Sequence, residues 1–333
     1  MTLKIGWIGC GTHASQMLLP QLTRQDVELA ALCDVDGAAL ARAARQFGVR
    51  ATYADHRDLL AHPGLDAIGM AVGPAAHHAI GLAALARGLP VFMEKPPGGN
   101  VAQAEELLAA SERAGKPLVL GFMKRWSIGN RIAGNIVRGG EFGPVLGFYG
   151  SYMTAPTYFR GAVDYSGFFL HHCVHYMDLP AFLAASPIRE LTARKVENGP
   201  GRLLMHIALG FDSGAIGTVV MGTVQSRGTP MEFVQIMGDH RRLEVRNVID
   251  VTYYRDPAFK TQDLGATLSD TQDALTWSPN FTAAANEDVK GYHALLEVTL
   301  KAFRGEAADD APTIRDGVTA MRHLETLRRQ VEG

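Results

Sequence analysis

The apolar run Lys4–Ile8 ends directly on Gly9-Cys10-Gly11-Thr12-His13-Ala14, and a helical pattern, Ala14–Leu22, begins where the glycines stop. Few folds accept a strand that enters a G-x-G-x-x-A turn and leaves it as a helix. It is the opening of a βαβ unit built around a pyrophosphate. Gly9 allows the tight turn, Gly11 removes a Cβ so that the backbone can approach the phosphates, and the small Ala14 lets the helix pack close. The helix N-terminus adds free N–H groups. Asp34 closes the next apolar run, Glu28–Cys33, about 20 residues beyond the glycines, where a carboxylate can accept from a ribose 2′-hydroxyl. A glycine-rich turn without a ligand is the competing reading, and Asp34 alternatively caps the following helix, alone or with Asp36. A carboxylate repels a 2′-phosphate, so NAD(H) is expected over NADP(H), although Arg42 and Arg45 on the next helix leave a route to a phosphate. The expected contacts are Gly9, Cys10, Gly11, Thr12, His13 and Asp34.

Short apolar runs and helical stretches then alternate to about residue 121: helix Ala38–Phe47, strand Ala67–Val72, helix His77–Arg87, strand Pro90–Met93, helix Val101–Ala114 and strand Leu118–Phe122. Nearly continuous apolar strands separated by helices specify a parallel sheet covered on both faces. The pattern changes beyond Phe122. A helix, Asn130–Arg138, a strand, Val145–Met153, and a long helical stretch, Phe168–Ala185, precede six alternating runs: Glu190–Lys195, Leu203–Phe211, Ala215–Met221, Met231–Met237, His240–Val245 and Val248–Tyr254. Asp212-Ser213-Gly214 and Gly238-Asp239 read as hairpin turns. Two domains follow: a Rossmann domain over 1–121, and an α+β domain over 122–312 with a large, open, mostly antiparallel sheet. Pro257–Asn280 reads as a loop, and a final helix, Thr313–Val331, as packing back on the first domain.

The composition suits this division. The 333 residues are 47% hydrophobic with a net charge of −2, from 32 Lys+Arg against 34 Asp+Glu. That is enough apolar surface for a folded protein and no basic excess for nucleic acid. Three cysteines make no disulfide framework and suit a reducing compartment. Met1–Lys4 leads into the first strand without a leader pattern, and the uncharged stretch Ala67–Ala86 is broken by Gly73, Pro74, His77 and His78. A cytoplasmic protein without a membrane span is expected.

Glu94-Lys95-Pro96-Pro97 follows the strand Val91–Met93, and the carboxyl end of a parallel strand is where ligands bind. A surface charge pair is the competing reading. Together with Gly9-x-Gly11-x-x-Ala14, this segment resembles the glucose–fructose oxidoreductase/inositol dehydrogenase (Gfo/Idh/MocA) family across essentially the whole chain. Val72-Gly73-Pro74-Ala75-Ala76-His77 stands where the family carries a Thr-Pro-Asn-x-x-His-like cofactor loop. Gly121–Trp126 is similar to the family's entry into the second domain, and Asp316-Gly317 to its turn into the last helix. The resemblance adds Val72, Gly73, His77, Glu94 and Lys95 to the cofactor residues.

The family's catalytic helix carries Asp-x-x-x-His. Here His175 aligns with the histidine and Asp178 with the acid that follows, but His171 occupies the acidic position. Spacing i,i+4 puts His171 and His175 on one helix face. Three readings stand: His175 as general acid/base with His171 as a hydrogen-bonding or substrate group; a metal site of His171 and His175 helped by His172, Cys173 or Asp178; or polar packing with catalysis lost. The first implies hydride transfer between a secondary alcohol of a sugar, glycoside or inositol-like polyol and nicotinamide, with no metal. A neutral imidazole takes the hydroxyl proton and Lys95 stabilises alkoxide character. Substrate contacts are expected from Lys95, Arg125, Tyr152, Tyr158, Arg160, Tyr165, His171, His172 and His175. Tyr149, Phe159 and Phe168 stand in the same aromatic-rich stretch, and Lys124 is either a further contact or a rim charge. A cofactor-binding protein without dehydrogenase activity, or a variant acting on a substrate such as a dihydrodiol, is the alternative. An uncovered sheet face carrying Ile216, Val219, Val220, Val234 and Ile236, like the resemblance, implies a homodimer or homotetramer.

Overall fold

The computed structural model describes residues 2–156, 164–226, 231–255, 274–279 and 288–332. The chain divides into two compact units, residues 1–123 with 291–325 and residues 124–290 with 326–333.

The first unit contains strands β1 (Leu3–Ile8), β2 (Val27–Cys33), β3 (Ala51–Tyr53), β4 (Ala67–Met70), β5 (Val91–Met93) and β6 (Leu118–Leu120). They form one parallel sheet in the order β3-β2-β1-β4-β5-β6. The order reverses between β1 and β4, the switch point at which an open α/β sheet binds its ligand. Helix α1 begins as a π-helix, Ala14–Leu18, and continues as Leu19–Leu22. Pro20 has no N–H for the Gln16 carbonyl, which relaxes the ladder at that turn. Helix α2 (Gly37–Phe47) is capped by the Asp36 carboxylate, which accepts from the Ala38 and Ala39 amides, and ends on left-handed Gly48. Between β3 and β4 lies α3 (His56–Leu60), and α4 (Pro74–Ala86) and α5 (Val101–Ala114) follow their strands. β3 and α3, of three and five residues, are too short to show a hydrophobic period and were not expected.

The second unit contains α6 (Ile128–Arg138) and β7 (Val145–Met153). Its next helix, α7, runs through Ser166–Phe168, a π-helical Phe169–Cys173 and Val174–Tyr176. It stops at Met177–Asp178 before α8 (Leu179–Ala184). The single helix expected over Phe168–Ala185 is thus broken. Pro180 has no N–H to offer the Tyr176 carbonyl, so the ladder cannot continue across it. Strands β8 (Ile188–Glu197), β9 (Leu203–Phe211), β10 (Ile216–Gly222), β11 (Met231–Gly238), β12 (Arg241–Arg246), β13 (Asp250–Arg255) and β14 (Ala274–Trp277) complete an eight-stranded sheet. Its order is β14-β13-β12-β11-β7-β10-β9-β8, and only the β7–β10 pair is parallel. Residues 274–277 therefore correct the loop expected over Pro257–Asn280; residues 257–273 and 280 lie outside the described residues.

Helices α6 and α8 cover one face of this sheet. The opposite facing of neighbouring strand residues corrects the expected open face: Val219, Val234 and Ile236 are buried in the core, whereas Ile216 is 72% exposed and Val220 is half-buried.

The remaining helices are α9 (Tyr292–Arg304), which showed no clear signal in the sequence, and α10 (Ile314–Glu332). α9 packs on α1, and the Gln25 amide donates to the His293 carbonyl. The chain re-enters beside β6, where the Leu120 amide donates to the Pro312 carbonyl and Val119 bridges Thr313. Residues 291–312 thus sit with the first unit, not the second as the sequence suggested. Among the described residues, no helix is long and apolar enough to cross a membrane.

Candidate active site

In the first unit the glycine-rich turn sits at the carboxyl end of β1. Gly9 has φ +91, and a Cβ there would stand 2.3 Å from the Ala71 carbonyl oxygen, so both backbone sign and space require glycine. A Cβ on Gly11 would meet nothing within 4 Å, so the backbone there is open to a ligand. Thr12 and His13 are exposed, and Ala14 is buried beneath them. The Asp34 carboxylate is anchored by two amides, from Cys10 at 2.6 Å and Asp36 at 2.8 Å. It therefore stands fixed beside the turn, and the helix cap is Asp36 alone. Burial, then the Asp34 charge, pushes the Cys10 thiol up to about 12. Cys10 contributes its amide, and its sulfur is inert.

Glu94 is 5% exposed and its Oε1 makes no hydrogen bond, while its Oε2 accepts from the Lys95 amide at 3.2 Å. His13 Nε2 lies 3.6 Å from Oε1. Burial alone would raise this carboxyl, yet His13, Lys95 and His77 outweigh it and hold it below its ordinary value. A Cβ on Gly121 would fall 2.5 Å from Oε1, so the glycine keeps the carboxylate's place clear. An ionised, buried oxygen without a donor beside an open glycine turn suits a hydroxyl-rich ligand such as a nicotinamide dinucleotide. Lys95 is half-buried at the end of β5. His77 is placed differently from expectation. It is 1% exposed with both ring nitrogens engaged by main chain, so it supports the Val72–Gly73 loop and is not itself open to a cofactor.

In the second unit His175 is 5% exposed, His172 is half-buried and His171 is exposed. The two histidines expected to share a face thus sit in different environments, because the π-helical Phe169–Cys173 widens the turn that separates them. Tyr152, expected against substrate, is 2% exposed; its hydroxyl meets His172 Nδ1 at 2.5 Å and the two rings lie 5.3 Å apart. Phe168 is buried and its ring also lies against His172, 5.7 Å between centroids. Tyr149 points to the opposite sheet face and packs on Phe233. Tyr165 donates to Glu197 at 2.6 Å, and the Gly201 amide donates to its hydroxyl. Burial and then Glu197 push this phenol up to about 12.

Arg125 is corrected as well. Its guanidinium forms a two-pronged ion pair with the buried Asp178 carboxylate, Nε donating at 2.8 Å, which accounts for both charges structurally. Lys124 is no rim charge: it is 5% exposed and paired with both Glu232 oxygens, and Tyr176 donates to the same carboxylate at 3.1 Å. Glu232 was missed because nothing local in the sequence marks a partner 108 residues away. Tyr158, Phe159 and Arg160 lie outside the described residues. Among the described residues no three His, Cys, Asp or Glu side chains are grouped to hold a metal ion.

Residues 3–122 match the profile of an oxidoreductase family with an NAD-binding Rossmann fold, Gfo/Idh/MocA. The chain is 31% identical over 160 residues to an inositol 2-dehydrogenase of Salmonella paratyphi B, covering 47% of this chain and 48% of that protein. It is 28% identical over 218 residues to a D-apiose dehydrogenase of Paraburkholderia graminis, covering 64% of this chain and 58% of the relative. The chain thus matches only about half the length of these curated relatives. A solved dehydrogenase from Chromobacterium violaceum shares the fold over 100% of this chain and 96% of its own, with a TM-score of 0.87 and 23% identity.

Proposed function

We propose that this chain, whose residues 3–122 match the Gfo/Idh/MocA oxidoreductase family, is an NAD-dependent dehydrogenase acting on a secondary alcohol of a sugar, glycoside or inositol-like polyol. The observation that carries this reading is the turn at Gly9 and Gly11 with the Asp34 carboxylate fixed beside it. Names borne by relatives, inositol 2-dehydrogenase and D-apiose dehydrogenase, favour a polyhydroxylated substrate. Bound NAD⁺ supplies the hydride acceptor. The backbone of Gly9–His13 would hold the pyrophosphate, Asp34 would accept from the adenosine ribose and disfavour a 2′-phosphate, and Glu94 would accept from a hydroxyl. In this reading His175 would take the proton of the substrate hydroxyl, and the Lys95 ammonium would stabilise alkoxide character on the substrate oxygen. The alcohol becomes a ketone, with its proton on His175.

Exposed His171 and half-buried His172 are the further groups we assign to hydrogen bonding with substrate. Two copies pair through the open face of the second-unit sheet, where Ile216, Met231 and Val196 are at least half exposed. Light scattering should show a dimer or tetramer.

The decisive assay incubates the protein with NAD⁺ and a panel including myo-inositol and D-apiose, and follows reduced-nicotinamide absorbance. Turnover is expected, and Lys95→Ala should lower it by ~10²-fold or more with NAD⁺ binding retained. Wild-type turnover in Lys95→Ala would overturn the assignment. NAD⁺ binding without turnover on any polyol or dihydrodiol would favour a cofactor-binding protein that lacks dehydrogenase activity.

A further inference from the structure

The β4–β5 ladder runs from Ile68–Val91 to Met70–Met93, and the Glu94 amide adds one more bond to the Met70 carbonyl. Beyond it the two chains part, β4 leading through Val72 and Gly73 into α4 and β5 leading into Lys95 and Pro96. The side chain of His77, in the first turns of α4, spans the gap. Its Nδ1 lies 3.0 Å from the Pro96 carbonyl oxygen, and the Val72 amide lies 3.1 Å from its Nε2. A carbonyl can only accept and an amide N–H can only donate, so Nδ1 carries the proton and Nε2 is bare. The ring is thus one defined neutral tautomer with main chain on both sides.

We infer that His77 is a latch, a positioning residue that locks the Lys95–Pro96 turn to the Val72–Gly73 turn and so sets where Lys95 stands. The inference rests on the proposed role of Lys95 for its functional consequence, but the latch itself is a matter of two hydrogen bonds. Burial, offset in part by the Pro96 carbonyl and Glu94, with Lys95 lowering it further, brings His77 down to about 4. The strut is therefore neutral throughout the working range, and an acceptor at Nε2 is always present for Val72. Its two arms do different things. The Pro96 arm acts on the residue next to Lys95 and so on turnover. The Val72 arm acts on the entrance to α4, which borders the cofactor turn through the Gly9–Ala71 contact, and so on NAD⁺ affinity.

Three variants separate the arms. His77→Asn places an amide N–H₂ near the position of Nδ1 and lacks the far acceptor. His77→Gln reaches the position of Nε2 with a carbonyl and lacks the near donor. His77→Ala removes both, and the two amide variants carry the test if it fails to fold. Amide hydrogen exchange measured by mass spectrometry should rise about tenfold in peptides containing Val72 and in those following Pro96 for His77→Ala, as expected when a buried group loses its partner. His77→Asn should open mainly the first segment and His77→Gln mainly the second. With NAD⁺ and an active polyol, His77→Asn should chiefly raise KM for NAD⁺ and His77→Gln chiefly lower kcat, each by about tenfold. Unchanged exchange in both segments of a folded His77→Ala protein overturns the latch. If the wild-type protein turns over no substrate, the dehydrogenase reading fails while the exchange data still decide for or against the latch.

Discussion

Replacing Glu232 should cost the second unit more than replacing Glu232 and Lys124 together. The Lys124 side chain is 7% exposed and that of Glu232 14%, so both charges have left bulk water. The ammonium meets both carboxylate oxygens and lies over the rings of Tyr152 at 5.4 Å and Tyr176 at 5.9 Å. Glu232→Leu leaves that ammonium buried with ring faces as its compensation, each worth about 0.5–2 kcal/mol against a loss of about 3–5 kcal/mol for a buried pair deprived of one member. The Tyr176 hydroxyl loses an acceptor too but keeps the Ser151 carbonyl at 3.3 Å, so its share is at most about 1 kcal/mol. A destabilisation of about 3 kcal/mol follows, or a Tm drop of about 6–12 °C for a unit of this size. Lys124→Met/Glu232→Leu removes both charges in similar volume and should return to within about 1 kcal/mol of wild type. Calorimetric melting of wild type, both single variants and the double variant closes the cycle. Additive losses, with the double variant the least stable, would refute the claim that the pair is coupled through burial.

Three further outcomes follow from the first unit. His77 has a folded pKa of about 4 against an ordinary 6.5, so between those values the unfolded chain binds a proton that the native protein refuses. Stability from this group is complete above about pH 6.5 and falls as pH drops toward 4, by roughly 3 kcal/mol in all; urea unfolding from pH 7 to 4.5 should show the fall, and His77→Asn should lack this component. Gly9→Ala puts a methyl 2.3 Å from the Ala71 carbonyl at φ +91, so NAD⁺ affinity measured by calorimetry should drop by at least about tenfold, and unchanged binding would refute the placement of the phosphates there. Burial first, then neighbouring acids, raises the Cys10 and Cys33 thiols to about 12 and 11. Native protein at pH 8 should therefore leave both unmodified by a thiol reagent, and rapid labelling would contradict their burial.

The parallel half of the fold was legible because its signals are local. A strand, two glycines and a helix start within twelve residues define the cofactor turn, and Val101–Ala114 matches the structure residue for residue, as does Val145–Met153 in the second unit. Where the apolar period is too short, as in Ala51–Tyr53, no local pattern existed to read. Face assignment failed for Val219, Val234 and Ile236 because a β-branched residue looks alike in the core and on an open sheet. Side-chain roles were least legible. Arg125, Tyr152 and Lys124 stood in a stretch rich in substrate-like chemistry, and the fold gave their polar groups to Asp178, His172 and Glu232.

The sequence by itself determined the nucleotide-binding turn, the carboxylate that stands beside it, the presence of a lysine after β5 and a histidine on α7, and the change from parallel to antiparallel pairing. These are properties of adjacent residues, set by backbone sterics and by periods of 2 and 3.6. Tertiary structure alone decided which charges remain available for chemistry. A buried ionic or hydrogen-bonding group must find a partner, and that partner comes from wherever the chain has folded. Arg125 is consumed by an acid 53 residues away and Lys124 by one 108 residues away, while His77 ties together two loops on either side of its own helix.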